Sequence, residues 1–462
     1  MKFRLSLVLC LAAAPAFAQP AGRAVAPIDT FDRDLDALFV KTGLTAEQAA
    51  ARAQNVSPTV ARRIAEVDAA IAQGEATELQ RLPQIGGRLS YTRLSFIPAA
   101  VIPAGGGMVF TIPFLQNQYL AEGSVSVPLS DYVLRYPKLI DAAHLGEEVA
   151  RVSKRSAEVS ASQDARLAYY EWVRSKLQVL IAQRQLVQVQ TTLTQVRALA
   201  EVQRLSRADL LRVESQEAEA EQTVVVLQNL ADLREEQLRL LIGVPEERLA
   251  IGEDIRADIQ APVSGRLDEL IKIATSRRLE FRVLDTGIEA KEKQRSAEKS
   301  GQFPRLSAFA VVDYANPNPR VFPQVEAFKF TWSAGLQLAW TLNDTLLERT
   351  TDRRLEAETN ELRADRENLV RGTRIELLAA EQAVQIAIHA LATSQKDLLA
   401  AEEGYRVRKE LLNAERATAV ELVDAETVLT RARIASLNAR VDLRVAMAQL
   451  AHALGEDTSK AK

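Results

Sequence analysis

Three histidines, His144, His389 and His452, and one cysteine, Cys10, are the residues of this chain best suited to metal or nucleophilic chemistry. The histidines are scattered along separate helical stretches, whereas a metal site needs its donors at short helical spacing or on a shared turn. No nucleophile motif and no phosphate-binding glycine loop occurs. The chemistry on offer is electrostatic. Glu421 and Asp424 are three positions apart and so share one face of a helix. Asp209 stands where Glu421 stands in an earlier copy of the same segment. The many other Glu–Glu and Asp–Arg pairs read as solvated faces or ion pairs of long helices.

The elements that carry these acids are written twice. At an offset of about 212 residues, Leu241-Ile242-Gly243 falls on Ala453-Leu454-Gly455, Asp209-Leu210-Leu211 on Glu421-Leu422-Val423, and Glu214 on Glu426. Trp172, Val179, Leu186, Leu193 and Ala200 fall on Val384, Leu391, Leu398, Tyr405 and Leu412, two series stepping by about seven. The first copy covers 44–243 and the second 267–455, with a linker at 244–266 and a tail at 456–462. Each copy predicts an opening helix (44–80; 267–300), two strands (84–96 and 117–130; 305–314 and 328–342), a very long helix (131–202; 344–413) and a return helix (206–242; 418–454). At 1.5 Å per residue a helix of about 70 residues is roughly 100 Å long. A return helix stacked end to end on an opening helix would match it, which predicts a tube wall of two continuous and two composite rods. The positions Ala380, Ala387, Ser394 and Ala401 beside the Leu377–Val384–Leu391 series are small, as close antiparallel packing requires.

The strands have two unlike faces. Phe328, Phe330, Trp332, Ala334, Leu336, Leu338 and Trp340 point one way and Lys329, Thr331, Ser333, Gly335, Gln337 and Thr341 the other. Tyr119, Ala121, Gly123, Val125, Val127 and Leu129 repeat the pattern more weakly. Alternation over about ten residues with aromatics near the ends is the pattern of a lipid-facing barrel strand. The segments 98–113 and 316–323, rich in Pro, Gly and Asn, are expected to be surface loops.

The chain carries an export address. Lys2 and Arg4, the apolar run 5–14 and Ala16-Phe17-Ala18 form a secretory signal at 1–18, which places Cys10 in the removed part. Leu7-Val8-Leu9-Cys10 could also be read as a lipoprotein box, with a large residue where a small one is usual. Beyond the signal no apolar stretch of about 18 residues is found, so no helical membrane span is expected. The segment 19–43 has no assignable character. A formal charge of -3 without basic, aromatic-rich clusters speaks against nucleic acid as a partner.

With these features in order, the chain resembles the TolC family of outer-membrane channels over nearly all of its mature length. The residues that carry the resemblance are Leu44-Thr45-Ala46-Glu47-Gln48-Ala49 through Ser57-Pro58, Leu82-Pro83-Gln84-Ile85, Val127-Pro128-Leu129-Ser130-Asp131, and the paired ends Leu241-Ile242-Gly243 and Ala453-Leu454-Gly455. It implies a mainly α fold with membrane β: a homotrimer whose subunits give four strands each to a shared 12-stranded barrel, continuing into a long periplasmic α-helical tunnel. It implies no enzymatic activity and no cofactor. Its expected function is the exit duct of an efflux pump or type I secretion system, with a periplasmic adaptor, an inner-membrane transporter and outer-membrane lipid as partners.

The resemblance also places the residues. Asp209, Glu421 and Asp424, with Arg416 nearby, fall at the periplasmic entrance, where threefold symmetry would make rings that favour cations. Gln203, Arg204, Leu205 and Ser206, with Glu415, Ala417 and Thr418, fall at the helical tips that meet the adaptor. Phe328, Phe330, Trp332, Leu336, Leu338 and Trp340 face lipid. Gln203 and Glu415 stand where the family usually has glycine, and Leu412 and Ala417 where some relatives have an aromatic and a basic gate residue. The rival expectation is an exported coiled-coil protein with a scaffolding role in the envelope.

Overall fold

The computed structural model describes residues 30–456, apart from 97, 99, 104–105, 107–108, 113, 204, 247, 258–264 and 415. The expected signal peptide, Arg204, Glu415 and most of the tail lie outside the described residues.

The segment before the first repeat, unassigned from sequence, forms helix α1 (Thr30–Leu38) and strand β1 (Phe39–Leu44). The first repeat then opens with α2 (Ala46–Val56), started by a capping box in which Thr45 and Gln48 satisfy each other's backbone N–H groups. The chain breaks at Ser57, where Pro58 begins α3 (Pro58–Leu79). Strand β2 (Gln84–Arg93) follows, then β3 (Ala100–Pro103) and β4 (Val109–Ile112), then β5 (Asn117–Val127). The β3–β4 hairpin adds a short pairing to the segment 98–113, expected as a surface loop. Its short Ala-Val-Ile-Pro and Val-Phe-Thr-Ile strands are closely flanked by Pro and Gly, which hide so short a pairing from pattern reading.

The long helix expected from 131 is divided. A turn, α4 (Leu129–Leu134), ends at Arg135, and Pro137 lies in the first turn of α5 (Tyr136–Glu201), where its missing N–H costs nothing. Helix α6 (Arg207–Ile242) returns. In the second repeat the opening helix is likewise two pieces, α7 (Leu267–Arg277) and α8 (Leu279–Glu298), separated by an extended Arg278. Then come β6 (Arg305–Asn316), β7 (Lys329–Ala339), α9 (Leu342–Asn413) and α10 (Ala419–Ala453).

The breaks in the opening helices have a purpose in packing. Each return helix ends in a left-handed glycine set against the break of its own repeat. A Cβ on Gly243 would stand 2.4 Å from Val56, and one on Gly455 would stand 3.1 Å from the Arg278 backbone nitrogen. Both positions combine a positive φ with close approach, which glycine alone accommodates. The return helix and opening helix of the same repeat thus meet end to end. Four rods lie side by side in the order α3/α6, α5, α8/α10, α9, since α5 packs on both composite rods and α9 packs on α8 and α10. With 66 residues in α5 and 72 in α9, each long rod spans about 100 Å.

Heptad residues make the seams. Leu377, Val384 and Leu391 of α9 pack with Ala380 and Ala387 against Leu443, Ala446 and Leu450 of α10. At mid-length a larger core joins α1, β1, α2, α5, α6 and α10 around Tyr169, Trp172, Leu177, Leu238 and Val441. There Ile251 of the inter-repeat linker bridges to Phe39 and Leu44. The expected absence of an apolar stretch of about 18 residues does not hold. By length and composition α9 does contain an 18-residue window, of mean hydropathy 1.3, apolar enough to cross a membrane. Leu377, Ala380, Val384 and Ala387 of this stretch serve the seam with α10, and such a seam also requires a continuous apolar stripe.

β2, β5, β6 and β7 form one antiparallel sheet in that order. The sheet is open, and its edge strands β2 and β7 are ten and eleven residues long with no neighbour on their outer sides among the described residues.

Candidate functional site

The pairing register sorts the sheet into two faces. Trp332 lies opposite Val312, Phe330 opposite Tyr314, Leu336 opposite Ala308 and Leu338 opposite Leu306. Together with Ile85, Leu89 and Val125 they form an apolar face open to its surroundings, with Leu89 85% and Trp332 69% exposed. Phe328 precedes β7 and Trp340 follows it. Phe328 stacks on Tyr314 at 5.0 Å, and Tyr119 packs on Tyr91 at 5.0 Å, so rings collect at one end of the sheet. Trp340 marks the other end, its indole N–H donating to Thr345 Oγ1 at 3.1 Å. The opposite face is polar. Arg88 pairs with Glu122 at 2.9 Å and Arg320 with Asp313 at 3.3 Å. Glu122 and Asp313 sit directly across the β5–β6 ladder from one another.

The two helical turns at the far ends of the long helices repeat one design. Between α5 and α6, the Asp209 N–H donates to Ser206 Oγ at 3.2 Å, and that hydroxyl donates to Asp209 Oδ2 at 2.7 Å. Between α9 and α10, Thr418 and Glu421 form a full capping box. Neither cap is among the expectations above, although Ser206-x-x-Asp209 and Thr418-x-x-Glu421 are legible starting signals. The acids therefore hold the turns as well as presenting charge. They also have basic partners: Glu421 meets Arg408 and Asp424 meets Arg212, each at 3.2 Å. The face shared by Glu421 and Asp424 is thus crossed by an arginine from α6. Arg416 is exposed, and its backbone N–H closes the turn onto the Leu411 carbonyl at 2.8 Å. Leu205 packs on the cluster of Val189, Leu193, Val196, Val213 and Val423, while Ala417 is half-buried.

Gln203 holds φ at 59°, the left-handed region that favours glycine. An unbranched side chain tolerates this at moderate cost and a β-branched one does not. Gln203→Val is expected to lower the unfolding free energy by about 1–2 kcal/mol, with Gln203→Gly near neutral. Urea midpoints of the two purified variants measure this, and equal midpoints would contradict the strained turn.

A further acid near the tips is not among the expected site residues. Glu426 of α10 is 2% exposed. Its Oε1 accepts a hydrogen bond from Thr192 Oγ1 of α5 at 3.0 Å, while Oε2 is buried with no donor. Burial pushes the carboxyl up to about 7, opposed by the Thr192 hydrogen bond and the charge of Lys409. Among the described residues no cluster of His, Cys, Asp or Glu is arranged to hold a metal ion. His144 instead sits between Glu78 at 3.3 Å and Glu147 at 3.7 Å.

No sequence-family model and no curated protein matches the chain. Solved structures do. The chain superposes on the outer-membrane channel OprN with a TM-score of 0.71 at 18% identity, covering 96% of this chain and 98% of that one. The chain has the TolC-type channel fold. CmeC, an outer membrane channel of Campylobacter jejuni, gives a TM-score of 0.72 at 12% identity over 98% of this chain and 96% of its own. The open state of MtrE, an outer membrane channel of Neisseria gonorrhoeae, gives 0.72 at 17% identity, covering 89% and 88%. With so few identical residues, it is the shared order of rods and strands, preserved end to end, that carries the likeness.

Proposed function

We propose that this protein is an outer-membrane exit duct, which conducts solutes through a pore lined by the polar sheet face and the helical wall and performs no enzymatic step. The observation that carries this reading is the open four-stranded sheet, apolar on one face and polar on the other, on top of a helical wall about 100 Å long. Lipid supplies no hydrogen bonds, so the free edges of β2 and β7 must pair with each other across copies of the chain until the sheet closes. Three copies give twelve strands, and the fold relatives are channels of the outer membrane. A scaffolding coiled coil would have no use for such a sheet.

The duplication supports a particular joining of copies along the wall. α10 packs on α5 within the chain, whereas α6 and α9 lie at the two free sides of the wall. In the internal seam Arg174 pairs with Asp442 at 2.6 Å and Gln178 with Asn438 at 3.1 Å. At the repeat offset these positions become Ile386 with Leu230 and Ala390 with Val226. Both members of each polar pair have changed together to apolar residues. Val225 and Leu233, 60% and 55% exposed on α6, likewise correspond to Leu437 and Val445 of the mid-length core. This is the behaviour of one contact used twice, inside the chain and between α9 of one copy and α6 of the next.

In this reading the tips, including Gln203, Arg204, Leu205, Ser206, Glu415, Ala417 and Thr418, meet a periplasmic adaptor joined to an inner-membrane transporter. Asp209, Glu421 and Asp424 then line the entrance as rings of acid, with Arg416 beside them. The protein reconstituted in a planar bilayer is expected to conduct, and Glu421→Ala with Asp424→Ala to weaken block of the open pore by cations. Unchanged block would remove these acids from the entrance. A monomer in mild detergent that forms no pores would defeat the channel reading itself.

A further inference from the structure

The strands β2, β5, β6 and β7 carry six charged residues, and only three stand away from the strand ends. Arg93, Arg305 and Lys329 are terminal. Arg88, Glu122 and Asp313 lie in one row across β2, β5 and β6, because Glu122 is the ladder partner of both Arg88 and Asp313. The row is on the polar face, about midway along β2 and β5. The β6–β7 connection adds a fourth charge to it by folding back over the polar face. Buried Asn318 donates from Nδ2 to the Lys329 carbonyl at 2.9 Å and to Thr331 Oγ1 at 3.1 Å, and its Oδ1 accepts from the Arg320 N–H at 2.9 Å. The Arg320 guanidinium then donates to Ser333 Oγ at 3.1 Å and lies 3.3 Å from Asp313.

The sheet does not need this row. Two carboxylates directly opposite one another on a ladder repel. The repeat alignment that sets Gln84 on Arg305 and Leu129 on Leu342 sets Arg88 on Phe309 and Glu122 on Gly335, which are themselves cross-strand partners. There the Phe309 ring lies over Gly335, where a Cβ would meet it at 3.1 Å. The same position of the sheet is thus filled without charge in the second repeat. Ion pairs as open to water as Arg88 with Glu122 add little to stability. A local conflict of this kind is expected where residues serve function rather than fold.

The four side chains are not presented equally. Arg88 is 64% and Arg320 43% exposed, against 26% for Glu122 and 15% for Asp313. The acids lie at the wall and the guanidinium groups stand in front of them. We propose that Arg88 and Arg320 form an anion-binding belt inside the barrel, which takes the carboxylate or phosphate groups of passing solutes. The belt rests on the channel reading and gives it a cargo class, solutes that carry an anionic group. Two arginines in each of three copies make a ring of six. A guanidinium offers paired N–H donors that match a carboxylate or phosphate. The acid behind each arginine keeps that binding weak, as a conduit requires if cargo is to leave again. The acids at the tips have the opposite sign, so a solute bearing both charges finds a partner at each station.

The purified full chain in a planar bilayer, with citrate added on the barrel side, reads the belt as block of the potassium current. Wild type is expected to be blocked. Arg88→Gln with Arg320→Gln is expected to raise the half-blocking concentration by about tenfold, the weight of one charge-assisted hydrogen bond, and Glu122→Gln with Asp313→Asn to lower it. Arg88→Gln alone, which leaves the Arg320 connection untouched, should give part of the rise. Arg88→Lys with Arg320→Lys, which keeps the charge and loses the paired donors, should give an intermediate value. Citrate without effect on wild-type current, or a half-blocking concentration that the arginine substitutions leave unchanged, overturns the belt and retains the channel. No current from wild type removes the channel reading, and the belt with it.

Discussion

Leu230→Asp is expected to dissociate the assembled protein, and Ile386→Arg added to it to restore assembly. The equivalent positions inside the chain, Asp442 and Arg174, already form a salt bridge at 2.6 Å in the same helix seam. Wild-type Leu230 and Ile386 replace that pair by two apolar side chains, and Ile386 is 68% exposed in the single chain. A lone carboxylate in this seam would be partly stripped of water without a partner, since the equivalent Asp442 keeps about half of its side chain exposed, which costs about 1–3 kcal/mol per contact. Three symmetric contacts multiply the effect, so the oligomer should dissociate at concentrations where the wild type stays assembled. The double variant recreates a pair whose geometry the internal seam shows to be feasible. Sedimentation or mass photometry in mild detergent reads the result. A trimer that persists in Leu230→Asp, or a double variant no better than the single, would show that α6 and α9 do not meet in this register.

Leu336→Arg should block insertion into lipid, while Gln337→Arg, one residue on, should be tolerated. Both lie near the middle of β7, opposite Ala308 and Ser307 respectively. Successive residues of a strand face opposite sides, so Leu336 belongs to the apolar face with Trp332 and Leu338, and Gln337 to the polar face with Ser333. An arginine at the lipid midplane costs about 2–4 kcal/mol, taken three times in a trimer. A charge on the water-filled side costs little and alters only the passage. Recovery of folded protein after refolding into phospholipid vesicles measures this. Equal recovery of the two variants would reverse or abolish the assignment of faces.

Much of this architecture could be read from one dimension. The duplication was visible because Leu241-Ile242-Gly243 and Ala453-Leu454-Gly455 stand at equal distance from their tips. The apolar face of the sheet is visible because Phe330, Trp332, Leu336 and Leu338 alternate with Thr331, Ser333 and Gln337. The breaks in the helices were harder. Ser57-Pro58 announces itself, but Arg278 carries no proline or glycine, and its extended backbone follows from Gly455 docking beside it. The short β3–β4 hairpin and the α1–β1 segment each owe their form to pairing or docking, which propensity does not express.

The site divides along the same line. Asp209, Glu421 and Asp424 could be found as acids at helix starts, and their capping roles were present as Ser206-x-x-Asp209 and Thr418-x-x-Glu421. Their counter-charges could not be found this way, because Arg212 lies 212 positions from Asp424 and Arg408 lies on a different helix from Glu421. Glu426 is the sharpest case. In the sequence it is one more glutamate on a polar-looking helix, the twin of Glu214. Periodicity, caps and face polarity are properties of neighbouring residues and so survive in the order of the letters. Whether a charge is paired, exposed or sealed in a seam depends on which distant helix lies against it, and α5 with its Thr192 hydroxyl decides that for Glu426 only once the four rods have packed.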